Sequence, residues 1–213
     1  MRGLLLKEFL GIRSFFKMYA FIIAICIIPV AVAQDGTFSA GFAVGICTFV
    51  GIMMCFISFN YDTGSKWDKF VLTLPFTREQ IVRSKYLFSL IMVGVGMGLG
   101  LALSAVLAAA GQTELDAGML LTAGFLAACA LLSVSLIIPL VFRFGVEKSR
   151  IIVIVIFLVP FMTFIALAGN GAVDGAAVEG ALPALARVLP VCGAAALVVS
   201  YLISVHIYRK KEV

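Results

Sequence analysis

NYDTGSKWDKFVLTLPFTREQIVRSKY, residues 60–86, is the one long polar interruption in a chain that otherwise reads as lipid-facing helix. Two helix starts and one stop are written into it. Ser65-Lys66-Trp67-Asp68 fits a capping box, in which the Ser oxygen takes a backbone N–H and the carboxylate three residues on reaches back. From there Trp67, Phe70, Val71 and Leu74 recur at i, i+3, i+4 and i+7, an apolar stripe on a helix that also carries Lys66 and Lys69. Leu74-Pro75 ends the pattern, because the residue before proline is pushed out of the α region. Thr77-Arg78-Glu79-Gln80 offers a second capping box and opens the helix that follows. The stretch therefore predicts a short amphipathic helix lying across a membrane surface between two spanning helices.

Working outward, the composition fixes the class. Of 213 residues, 63% are hydrophobic and 13% charged. Uncharged runs of about 20 residues are the mark of spanning helices. Six are expected, at about 19–33, 38–59, 86–110, 118–142, 151–168 and 188–207, which makes residues 1–213 one all-α membrane domain with residues 60–85 as its main loop. Residues 1–17 gather Met1, Leu4, Leu5, Phe9, Ile12, Phe15 and Phe16 on one side, with Arg2, Lys7, Arg13 and Lys17 towards the other. Such a helix suits the headgroup region; continuation of the first span as one long tilted helix is the alternative. No cleavable signal peptide is expected, since no small-residue cleavage site follows the basic start.

Charge sets the orientation. With six spans, every Lys and Arg except Arg187 falls on the side of the termini and of residues 60–86. The positive-inside rule makes that side cytoplasmic and the chain a multi-pass membrane protein. The opposite loops, with Glu114, Asp116, Asp174 and Glu179, are acidic or neutral.

Other patterns narrow the function. Gly94, Gly96, Gly98 and Gly100 alternate through the third span. A nucleotide fingerprint needs a strand before it, so these read as two small-xxx-small pairs for helix packing, Gly94/Gly98 and Gly96/Gly100. No phosphate-binding P-loop sequence occurs, the five cysteines lack metal-site spacing, and the serines have no nucleophile-elbow context, so no enzyme and no bound cofactor is expected. No ionisable residue falls in mid-span, which argues against a proton-driven carrier or a charged filter. Pro160, inside the fifth span, is a candidate hinge or a static kink. The stripe Trp67, Phe70, Val71, Leu74 must be covered by the bilayer interface or by a groove on a cytoplasmic partner.

The start MRGLLLKEF, the stretch FISFNYDTGSKWDKFVLTLPFTREQIVRSKYL and the aromatic-basic tail resemble the small ABC-2 type permeases of bacterial ATP-binding cassette exporters, in particular those of phenol-soluble modulin and other peptide exporters. That resemblance implies a permease pairing as a homodimer or with a related permease. ATP and Mg would sit on a separate ATPase subunit. It implies that residues 65–75, with Trp67 and Asp68 central, form the coupling helix that enters the ATPase groove, and that residues 1–17 form an interfacial elbow helix. The segment after the fifth span would form an extracellular cap. The implied substrate is an amphipathic peptide, toxin or lipophilic antibiotic leaving between two permeases; membrane lipid is the other partner, and no nucleic acid is expected. A stand-alone secondary transporter or channel, or a non-transporting immunity or scaffold protein, would share the apolar spans.

Overall fold

The computed structural model describes residues 2–32, 36–65, 67–71, 77–109, 117–169 and 175–210. Among them are seven helices: α1 (Arg2–Val32), α2 (Gly36–Gly64), α3 (Trp67–Val71), α4 (Arg78–Ala109), α5 (Ala117–Phe144), α6 (Val146–Gly169) and α7 (Gly175–Lys210). Four stretches of the described residues are long and apolar enough to cross a membrane: Ser39–Gly64, Arg78–Ala109, Gly118–Phe144 and Val188–Lys210. The other two expected spans fall in α1 and α6, several of whose side chains lie outside the described ones.

Two helix pairs make the framework. α2 and α4 run against each other along most of their length because small residues leave no side chain at the crossing. A methyl added at Gly51 would lie 2.6 Å from the Met92 carbonyl oxygen, and one at Gly100 2.6 Å from Val44 Cα. One at Gly96 would collide with the Cys47 carbonyl oxygen. Of the expected glycine pairs, Gly96 and Gly100 lie against α2, whereas Gly94 and Gly98 meet nothing within 4 Å in this chain. Residues two apart on a helix point about 200° apart, so both pairs could not face α2.

α5 and α7 form the second pair, close at Gly193, whose added methyl would meet Leu131 Cβ at 3.3 Å. Buried hydroxyls join the pairs. The Ser200 hydroxyl donates to the Ser135 carbonyl (2.5 Å), and Tyr86 Oη of α4 lies 2.6 Å from Ser200 Oγ and 2.8 Å from Ser204 Oγ. Around them Phe59 and Phe142 meet edge to face, their ring centroids 5.5 Å apart, in a core that includes Val134, Ile137 and Ile138. α5 turns into α6 through one residue, Gly145, at φ 80°, a left-handed conformation that favours glycine. Its N–H donates to the Val141 carbonyl (3.0 Å), closing the α5 terminus.

Several boundaries differ from the sequence reading. No break separates residues 1–17 from the apolar stretch that follows; α1 runs straight through, since Phe15 to Ala20 contains no breaker. The separate interfacial helix is thus replaced by the long-helix alternative. α2 continues past Phe59 to Gly64, and α7 already begins at Gly175, so the segment expected as an outer loop from 175 onward is helical. α6 is continuous through Pro160, whose side chain lies outside the described residues.

Candidate functional site

The 60–86 stretch folds as two helix ends with α3 between them. Ser65 closes α2: its N–H donates to the Tyr61 carbonyl at 3.0 Å and its hydroxyl to the same oxygen at 2.8 Å. Ser65 therefore faces back onto α2, and the Asp68 half of the expected capping box lies outside the described side chains. The second box forms as read. The Gln80 N–H donates to Thr77 Oγ1 (3.3 Å), and Gln80 Oε1 accepts from the Thr77 N–H (3.3 Å).

α3 does not present its stripe as a single face. Val71 is fully buried in the core beside Phe59 and Ile81, and Trp67 packs half-buried against the same cluster. Phe70 is 56% exposed, with its ring 5.5 Å from that of Trp67. Full burial of a side chain such as Val71 is worth about 1.5–3 kcal/mol, so Trp67 and Val71 anchor the helix to its own chain while Phe70 is offered outward. Residues 72–76, with Leu74 and Pro75, and the side chains of Lys66, Asp68 and Lys69, lie outside the described residues.

Behind α3 lies a feature that the sequence reading missed. Glu8 of α1, Asp62 and Ser58 of α2 and Lys85 of α4 converge in the interior, and Lys7 closes the group from its rim. The Lys85 ammonium donates to Glu8 Oε2 (2.8 Å), to Ser58 Oγ (2.6 Å) and to Asp62 Oδ2 (2.5 Å), which occupies its three donors. Ser58 donates to Glu8 in turn, and Lys7 reaches both Glu8 Oε1 (3.2 Å) and Asp62. Two cations balance two carboxylates, the condition under which buried charge persists. Burial, the strongest single influence on Glu8, raises its carboxyl pKa. The Lys85 and Lys7 charges, with hydrogen bonds from Lys85 and Ser58, more than offset it and hold the group below 4.5.

Cation–aromatic contacts connect this cluster to α3. Lys7 Nζ stands 4.4 Å from the centroid of the Trp67 ring, and Lys85 Nζ 4.8 Å from that of Phe59. A cavity of about 160 Å³ separates the cluster from the α5–α6 turn, lined among others by Asp62, Trp67, Lys85, Phe142 and Val146. At the same end of the bundle, Arg78 at the start of α4 donates to the Tyr208 (3.2 Å) and Arg209 (2.7 Å) carbonyls, satisfying the end of α7, and Arg209 pairs with Glu79. Chemically the arrangement is a joint. No group of metal-ligating side chains occurs among the described residues.

A signal for the cluster was present in the sequence. Glu8 lies between Leu4 and Ile12 on the apolar face of α1, and Lys85 between Ile81 and Phe88 on that of α4. A lone charge centred in an apolar stripe calls for an opposite charge from another helix. Scanning the spans alone left both outside, because Lys85 stands just before the third span and Glu8 well before the first.

The sequence pattern of the family described as ABC-2 family transporter protein matches residues 3–209, nearly the whole chain. The chain belongs to the ABC-2 transporter family. No curated protein and no solved structure matches it. Membership makes this ABC-2 protein a multi-pass membrane component of a transport system of the kind that works with an ABC ATPase. The resemblance drawn from residues 60–86 and the two ends of the chain is thereby shown at the level of the family.

Proposed function

We propose that this ABC-2 protein is the six-span permease subunit of an ATP-binding cassette exporter, and that α3 is its contact with a separate ATPase subunit. The observation that carries the reading is the division of α3: Phe70 faces outward, while Trp67 and Val71 tie the helix to the charge cluster and the core. A push on Phe70 passes through Trp67 to Lys7, and from there to Glu8, Asp62 and Lys85, which stand on α1, α2 and α4. Three helices would thus receive the displacement of one short segment together.

In this reading the termini and residues 60–86 are cytoplasmic, two permeases pair, and ATP with Mg is hydrolysed on the ATPase. The substrate is hydrophobic or amphipathic, in keeping with spans of Ala, Gly, Leu, Val and Phe. The chain supplies the path and has no energy source of its own. Reconstitution in liposomes tests it. Efflux of an amphipathic peptide should require both a cognate ABC ATPase subunit and ATP; gradient-driven flux through the chain alone would replace it with the secondary-transporter reading.

A further inference from the structure

An apolar groove of about 150 Å³ opens on the other side of the α2–α4 pair. Phe16, Ala20 and Ile23 of α1 form one wall and Val95 of α4 the other, with Gly51 and Gly96 at the floor where the two helices touch. The α1 wall runs for about 10 Å, seven residues of helix rise. Next to its first turn stand Arg13 and Lys17, one helical turn before Phe16 and Ala20 respectively, both exposed and neither in an ion pair among the described residues. The only carboxylate on α1, Glu8, is already engaged by Lys85 and Lys7.

We propose that this groove is a binding site for an anionic phospholipid, an acyl chain lying between α1 and α4 and the phosphate held by Arg13 and Lys17. The chemistry at the two ends differs in the way the two ends of a lipid differ: wholly hydrocarbon between the helices, doubly cationic and solvent-facing at the rim. A soluble ligand would find only the phenol of Tyr19 and the weakly hydrogen-bonding thiol of Cys47 as polar side-chain groups along the walls. An apolar segment of a partner protein would leave the two cations unmatched. Because Gly51 and Gly96 line the groove where α2 packs on Met92 and α4 on Cys47, the bound chain also lines the crossing at which α2 and α4 would have to part.

Native mass spectrometry of the full chain, released from detergent with equal amounts of phosphatidylglycerol and phosphatidylcholine, tests the site. The wild type should retain phosphatidylglycerol in preference. Arg13→Gln should lower that preference about fivefold, the effect of one basic side chain near an anionic headgroup. Ala20→Phe, which fills the groove from an exposed position, should lose the retained lipid of either kind. If Ala20→Phe lowers the melting temperature, Val95→Phe on the opposite, half-exposed wall gives the same measurement. Retention without preference for the anionic lipid, or retention unchanged by filling the groove, overturns the proposal. No ATPase enters the experiment, so its failure leaves the exporter reading standing.

Discussion

At the scale of single residues, burial decides which charges matter. Lys85 and Arg209 both make ion pairs, but Lys85 is 4% exposed and joins two carboxylates, whereas the side chains of Arg209 and Glu79 are 62% and 50% exposed. Lys85→Met leaves Glu8 and Asp62 buried with one cation between them and should cost about 3–5 kcal/mol of stability, read as a lowered melting temperature in detergent. Arg209→Ala should cost under about 1 kcal/mol by the same assay; equal effects would mean that the cluster is solvated. The sign of the acid response follows from Glu8. Its folded pKa lies below the 4.5 of the free group, so its stabilisation is complete above pH 4.5 and is lost as pH falls through the lowered value. Melting temperature should therefore drop on the acid side, and Glu8→Gln, less stable at neutral pH, should flatten that drop.

At the scale of elements, the α2–α4 crossing and the short α3 show what periodicity could and could not tell. The alternating glycines announced close helix packing, but a run with a two-residue period cannot say which of its faces meets a neighbour. Gly96→Ala places a methyl against backbone and should destabilise by about 1–3 kcal/mol. Gly98→Ala, facing open space, should be neutral or stabilising by up to about 1 kcal/mol through helix propensity. Thermal melts of the two variants read the difference, and matching losses would place both glycines in contacts. α3 lies within the stretch read as a helix, although Ser65 closes α2 and the Leu74-Pro75 stop lies outside the described residues; the Thr77–Gln80 box was legible to the hydrogen bond. The inward turn of Trp67 and Val71 was not, because a five-residue helix has too few positions to say which part of an apolar stripe its own protein covers. The length of α1 was obscured for another reason: its basic residues suggested an interface, whereas nothing in its backbone requires a break there.

At the scale of the whole molecule, helices held by glycine crossings and a few buried hydroxyls surround one joint of opposite charges, and the family membership places that joint in a transporter. The all-helical membrane architecture was legible because apolar runs and loop charges are one-dimensional signals. The cluster was not, since it unites residues 8, 58, 62 and 85 from three helices, and only the packing brings them together. The central claim is that α3 joins this joint to an ATPase through Phe70, with Trp67 as its inner anchor. The most direct measurement is binding of a cognate ABC ATPase subunit to the purified wild type, Phe70→Ala and Trp67→Ala chains, with the melting temperature of each. Phe70→Ala should melt as the wild type does yet bind about 30-fold more weakly, a loss of about 2 kcal/mol, while Trp67→Ala should also melt lower. Wild-type affinity for the ATPase in Phe70→Ala would contradict the claim.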